Sequence, residues 1–364
     1  MKRIVIKIGS SSLVDEDGKL DINKITGLVK EISLLKKDGI MPILVSSGAI
    51  AVGRSILNIK PQNIAEKQAL AAVGQADLMH EYEMIFNSYD LKCAQILLNH
   101  DDFDVRKRVL NLETTINTLI DLDVIPIINE NDALAVDEIK VGDNDTLSAL
   151  ISGIVEAKLL VLVSDIDGLF DKNPKIYSDA KLVKIVDVID KTIINMATDS
   201  STQFGTGGMI TKIKAAKIAT TAGVDMLIMN NTKMDKLHNV FNEFDGTLFK
   251  ASEHKMNAKS HWVLYKTNPK GYIYVDNGAK KALCDRKSLL SVGITSIKGV
   301  FDINDIVGIC NGKEIIAKGI VNYTSDEIDN IKGKTDLEVK QILGKSAKNV
   351  VIHANNIVLL EEEE

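Results

Sequence analysis

Aromatic side chains make up only 4% of this 364-residue chain, with a single tryptophan. The 45% hydrophobic content therefore rests mainly on Ile, Leu, Val and Ala, the composition of buried parallel strands alternating with helices. Cysteine is equally scarce. Cys93, Cys284 and Cys310 stand far apart, which excludes a disulfide framework or a CxxC metal knuckle and leaves three reduced packing residues. The six histidines show no metal-ligand spacing, and no Ser/His/Asp set emerges. No run approaches the ~18 uninterrupted apolar residues that span a bilayer. The opening run Ile4-Val5-Ile6 is broken at once by Lys7, so it reads as a first strand, not a signal peptide, and the expected location is cytoplasmic. A surplus of positive charge is missing as well. The net charge of −6 argues against nucleic acid or an anionic membrane as the main partner.

What is present is α/β alternation. Strand-like runs recur at Arg3 to Ile8, Met41 to Val45, Cys93 to Leu98, Val124 to Ile128, Leu159 to Val163 and Asp225 to Met229. Helical patterns lie between them at Asp21 to Lys37, Ala65 to Asn87, Val105 to Leu122, Thr146 to Glu156 and Gly208 to Ala222. This predicts a mainly parallel sheet sandwiched by helices, with functional residues at the carboxyl ends of strands. Glu138 to Lys140 reads as a hairpin arm. After Phe249 the rhythm changes to short strands with frequent glycines, Gly271 to Val275, Gly293 to Val300, Asp305 to Cys310 and Lys313 to Val321. The expected division is residues 1–250, a linker at 251–261 and a small β-rich domain at 262–360. Residues 262–364 hold 14 basic and 14 acidic side chains, so this segment is neutral.

Four stretches carry chemistry: Lys7-Ile8-Gly9-Ser10, Ser46-Ser47-Gly48-Ala49, Val141-Gly142-Asp143-Asn144-Asp145 and Gly205-Thr206-Gly207-Gly208-Met209-Ile210-Thr211-Lys212. Together they describe a phosphoryl-transfer site without a Walker loop. Glycines let backbone amides close on phosphate oxygens, helix N-termini add positive potential, and two distant lysines neutralise the charge in transit. Lys7 interrupts an apolar strand, where an ammonium needs an anion unless it merely edges into solvent. Gly9 and Ser10 would bring amides to that anion. Ser47 and Gly48 suit a substrate carboxylate, although Ser-Gly also makes a plain helix cap. In Asn129-Glu130-Asn131-Asp132, Asp132 suits an α-ammonium and Asn129 or Asn131 a carboxylate, the alternative being an Asx-rich loop. Asn144 is assigned to substrate and Asp145 to holding the two lysines in place. The Gly205 to Lys212 segment can lie over nucleotide phosphates, or serve only as a linker. Ser164 and Asp165 are placed to meet base or ribose.

In this order the motifs resemble the amino-acid kinase family. The resemblance is carried also by Lys67-Gln68-Ala69-Leu70-Ala71-Ala72-Val73-Gly74-Gln75, and it runs almost end to end. The stretch from about Gly271 to His353 resembles a PUA domain. The resemblance implies ATP- and Mg2+-dependent phosphorylation of the γ-carboxylate of L-glutamate, the first committed step toward proline. By motif, Lys7, Lys212, Ser164, Asp165 and the run Thr206, Gly207, Gly208, Met209, Ile210, Thr211 serve ATP, Asp145 organises the lysines, and Ser47, Asp132 and Asn144 serve glutamate. The metal ligands stay unassigned. Proline as a feedback inhibitor and a homo-oligomeric state belong to the same expectation, with no membrane partner and no RNA on the PUA-like domain. A vestigial kinase fold that binds RNA is the competing class, opposed by the neutral tail and the intact lysines.

Overall fold

The computed structural model describes residues 2–15, 18–103, 105–134, 143–174, 176–199, 208–252, 269–344, 347 and 349–360. The chain divides into two units, residues 1–255 and 256–364.

The first unit is built on eight strands: β1 (Lys2–Ile8), β2 (Ile40–Val45), β3 (Lys92–Leu98), β4 (Val124–Glu130), β5 (Leu159–Ser164), β6 (Ile185–Val186), β7 (Asp225–Asn230) and β8 (Thr247–Phe249). They form one sheet in the order β3-β4-β2-β1-β5-β7-β8-β6. Every pairing is parallel except β7 with β8, so the expected mainly parallel sheet is found. The helices are α1 (Ile22–Lys37), α2 (Ala49–Leu57), α3 (Ile64–Ser88), α4 (Arg106–Asp121), α5 (Asp143–Ile154), α6 (Lys191–Asp199) and α7 (Met209–Thr221). Asp21 caps α1 by accepting from the amides of Asn23 and Lys24, and Lys36 and Lys37 close its last turn, as the helix dipole favours.

Strand alternation sets the site. Ile4, Ile6 and Ile8 of β1 point into a core with Leu28 and Ile32 of α1 and Leu78, Tyr82 and Phe86 of α3. Lys7 falls on the opposite face, where α5 packs on β1 and α7 packs on α5. α2 and α3 cross at two glycines. A Cβ on Gly74 would lie 1.9 Å from the Ala49 carbonyl oxygen and 2.4 Å from the Gly53 nitrogen, and one on Gly53 would lie 1.9 Å from the Leu70 carbonyl oxygen.

The second unit has a five-stranded sheet, in the order β11-β9-β12-β13-β15, made of β9 (Gly271–Val275), β11 (Ile294–Lys298), β12 (Ile306–Asn311), β13 (Glu314–Ile320) and β15 (Ile357–Leu359). A second pair joins β10 (Leu289–Leu290) to β14 (Val350–Ile352). Three helices that the strand pattern did not announce accompany them: α8 (Asn277–Cys284), α9 (Ser325–Ile331) and α10 (Asp336–Leu343). The last two open on capping boxes, Thr324 with Glu327 and Thr335 with Glu338. The three cysteines are free thiols. Cys310 is buried, and burial pushes the half-buried Cys93 thiol up to about 11. Cys284 is exposed, which corrects its reading as a packing residue. No helix among the described residues is long and apolar enough to cross a membrane. The expected hairpin arm at Glu138 to Lys140 lies outside the described residues.

Candidate active site

The carboxyl ends of β1, β2, β4 and β5 converge with the first turns of α2, α5 and α7. The sequence opens α5 at Thr146, but the helix begins at Asp143, so Asn144 and Asp145 sit within its first turn. Asp145 is 1% exposed. Its Oδ1 meets Lys7 Nζ at 2.7 Å, and its Oδ2 meets Lys212 Nζ at 3.2 Å. Thr211 Oγ1 also donates to Oδ2 at 3.3 Å. Lys212 itself is 5% exposed. Two ammoniums thus share one carboxylate, leaving a surplus positive charge at low dielectric, where it acts strongly on an arriving anion.

Burial pushes the Asp145 carboxyl up, but the ammoniums of Lys7 and Lys212 outweigh it and hold the group below its ordinary 3.8. Because the folded-state value lies below that of the unfolded chain, this carboxylate stabilises the fold fully above the unfolded-state value. The contribution is lost as the pH falls through the lower folded value. The urea midpoints of wild type and Asp145→Asn should therefore differ by a constant amount above about pH 5 and converge below about pH 4. A gap that persists undiminished in acid would remove the ion pairs as its cause.

Around this triad the backbone approaches closely. A Cβ on Gly9 would stand 3.7 Å from Lys7 Nζ, so the lysine bends over the glycine. Ser10 starts a short 3-10 turn, Ser10–Ser12. Gly48 caps α2 with φ +107°, a left-handed conformation that favours glycine. Gly208 caps α7, Met209 is buried, Ile210 is exposed, and Thr211 Oγ1 bonds back to Gly208 O at 2.8 Å. Thr206 and Gly207 lie outside the described residues. Ser164 ends β5, 7% exposed, and donates to Asp165 Oδ1 at 3.1 Å, with Asp165 itself open to solvent.

Beside the triad lies a hydrogen-bonded wall of amides. Asn144 Nδ2 donates to Ser47 Oγ at 2.8 Å, Asn129 Oδ1 at 3.0 Å and Ser46 O at 3.1 Å. Asn144 Oδ1 is buried and accepts no hydrogen bond from the described residues, an arrangement that costs ~1–3 kcal/mol unless a donor reaches it. Asn129 is 2% exposed and belongs to β4 itself, not to a loop after it. Its Nδ2 donates to Gln75 Oε1 at 2.8 Å. Asp132 sits half-buried in the turn that leaves β4. Behind the wall, the fully buried Tyr82 shares a 3.1 Å hydrogen bond with Ser46 Oγ, and burial holds its hydroxyl well above the usual phenol range, so it stays protonated. Gln75, Tyr82 and the Gly53–Gly74 crossing were not expected from the sequence. Gly74 and Gln75 lay in a stretch that carries the family resemblance but had no role attached, and Gly53 and Tyr82 had no signal beyond their place in the chain.

A buried lysine–aspartate–lysine triad at the mouth of a parallel sheet, flanked by glycine-capped helices, defines a phosphotransferase. Residues 2–230 match the amino acid kinase family, and the chain belongs to it. It is a kinase, an enzyme that takes its phosphoryl group from ATP. Residues 271–343 match the PUA domain. The glutamate 5-kinase of Caldanaerobacter subterraneus subsp. tengcongensis is 45% identical over 100% of this chain and 99% of its own length. That of Dictyoglomus turgidum is 46% identical, covering 98% of this chain and 97% of its own. The chain is therefore grouped with the glutamate 5-kinases of the family. The solved carbamate kinase from Giardia lamblia bound to AMP-PNP shares the fold, with a TM-score of 0.50 and 18% identity over 69% of this chain and 99% of that one.

Proposed function

We propose that this chain transfers the γ-phosphoryl group of ATP to the γ-carboxylate of L-glutamate, giving γ-glutamyl phosphate and ADP, the first step toward proline. The observation that carries the reading is the Lys7–Asp145–Lys212 triad set beside a wall of amides, supported by end-to-end similarity to glutamate 5-kinases.

The acceptor needs no base. A carboxyl with a pKa near ~4.3 is ionised at neutral pH, so alignment and charge neutralisation suffice. A γ-carboxylate oxygen attacks the γ-phosphorus in line, the bond to the β–γ bridging oxygen breaks, and ADP keeps its electron pair. Lys7 and Lys212 bear on the moving charge while Asp145 fixes their spacing. Amides at Gly9 and Ser10 and the segment Thr206 to Lys212 take phosphate oxygens, and Ser164 and Asp165 take the nucleoside. Ser47 and Gly48 receive the α-carboxylate and Asp132 the α-ammonium. The orphan Asn144 Oδ1 offers that ammonium a further acceptor, with Asn129 behind it.

Among the described residues no group of three His, Cys, Asp or Glu could hold a metal, and both oxygens of Asp145 already face cations. This donor set fits Mg2+ carried on phosphate oxygens, not held in a protein cage. When bound, the ion supplies further positive charge on the triphosphate.

In the same reading the enzyme works in the cytoplasm as a homo-oligomer, proline inhibits at or near the glutamate pocket, and residues 1–250 perform the chemistry. The 262–360 domain is given no RNA, since residues 262–364 are neutral as a whole and offer little counterion release.

The test is hydroxylamine trapping across a panel of acceptors with ATP. Glutamate-dependent hydroxamate is expected. Hydroxamate formed only with aspartate, or phosphorylation of a nucleotide or carbamate instead, would overturn the assignment.

A further inference from the structure

The Lys67 to Gln75 stretch carries much of the family resemblance, yet none of its residues has a part in the chemistry above. It lies in α3, whose buried residues Leu70, Ala71, Gly74, Leu78 and Tyr82 form the helix's inward stripe. Gln75 falls on this stripe, four residues after Ala71 and seven before Tyr82, where a helix packed on a core normally carries an apolar side chain. From there its Oε1 reaches Asn129 Nδ2 at 2.8 Å.

The hydrogen-bond network leaves little choice of amide orientation. The Glu130 backbone N–H can only donate, and it meets Asn129 Oδ1 at 2.9 Å. Asn129 must then turn its NH2 toward Gln75, and Gln75 must answer with oxygen. On the other side, Ser46 O can only accept, so Asn144 faces it with NH2, which also meets Asn129 Oδ1 at 3.0 Å. One chain of contacts thus runs from α3 through Asn129 to Asn144 and Ser47. It ends on the buried Asn144 Oδ1.

We infer that Gln75 is a positioning residue of the acceptor pocket: by accepting from Asn129 it fixes the amide of Asn144, which meets the substrate. The inference rests on the acceptor pocket proposed above. Without that acceptor, the buried Asn129 NH2 is left unpaired, and Asn129 is held against Asn144 only through its Oδ1. Gln75 itself is only half-buried, so its loss opens no large void.

The experiment is steady-state kinetics on the full chain. Gln75→Leu should raise KM for glutamate about tenfold, the loss of one neutral hydrogen bond, and leave KM for ATP within about twofold. Asn129→Ala should do the same, and the double variant should be no worse than Asn129→Ala alone, because both act on one path. Gln75→Met, equal in length and a good helix former, provides the comparison should the leucine variant fold poorly. Additive effects, or parallel rises in both Michaelis constants, would overturn the inference while leaving glutamate as the acceptor. If the wild type uses a different acceptor, the same comparison on that acceptor decides Gln75 separately. Absence of hydroxamate and of phosphorylation with every acceptor sinks both.

Discussion

Lys212→Ala and Lys7→Ala should each lower turnover about a thousandfold, the scale on which a lost charge-stabilising donor slows group transfer. KM for glutamate should change far less. The reasoning starts from Asp145, buried with both oxygens on ammoniums. Neither lysine spends its charge on its own carboxylate, because two cations share one anion, and the surplus is available to the phosphoryl oxygens as charge builds there. Asp145→Asn keeps size and loses the anion. It should be comparably damaging, since two unpaired ammoniums this close repel each other out of position. Turnover within about threefold of wild type in either lysine variant, a barrier change under ~1 kcal/mol, would remove that lysine from the mechanism.

Gly74→Ala should be strongly destabilising. The new Cβ would sit 1.9 Å from a backbone carbonyl oxygen and 2.4 Å from a backbone nitrogen, and no flexible side chain can move aside. α2 and α3 must part, at a cost of about 3 kcal/mol. The shift also displaces Ala49, next to Gly48 and Ser47, and Gln75, next to Gly74, so a raised KM for glutamate should accompany the lower melting temperature. Gly27→Ala is the matched control. Gly27 lies inside α1 with nothing within 4 Å of its would-be Cβ, so alanine there should stabilise by about 0.5–1 kcal/mol. Equal behaviour of the two variants in thermal unfolding would discard the crossing as a constraint.

The strands β1, β2, β4, β5 and β7 were legible because continuous β-branched runs between helical patterns admit few other readings. The triad was legible for a chemical reason. A lysine inside an apolar strand, an Asn-Asp pair opening a helix and a lysine one turn into another helix each lack a purpose until they meet. By contrast, the Gln75–Asn129 bond joins residues 54 apart, and one glutamine on a helix carries no sign of its partner. The packing purpose of Gly53 and Gly74 was equally hidden, since glycine inside a helix reads as a weak point and its value lies in the neighbour that it admits. The helices α9 and α10 could have been found. Thr324-Ser325-Asp326-Glu327 and Thr335-Asp336-Leu337-Glu338 are capping boxes in plain sequence, overlooked beside the stronger strand rhythm around them.

The place of β1 in the middle of the sheet also bears on how the enzyme comes into being. β1 needs β2 on one side and β5 on the other, and Lys7 needs Asp145 and Lys212. On the ribosome, residue 7 emerges long before residues 145 and 212 do. Until β5 arrives, Ile4, Ile6 and Ile8 have only half a sheet to lie in, and such long-range pairing is slow to form. The nascent chain thus carries an unpaired edge of β1 until β5 is made. Its Lys7–Asp145–Lys212 cluster is likewise unassembled until most of the first unit has been made.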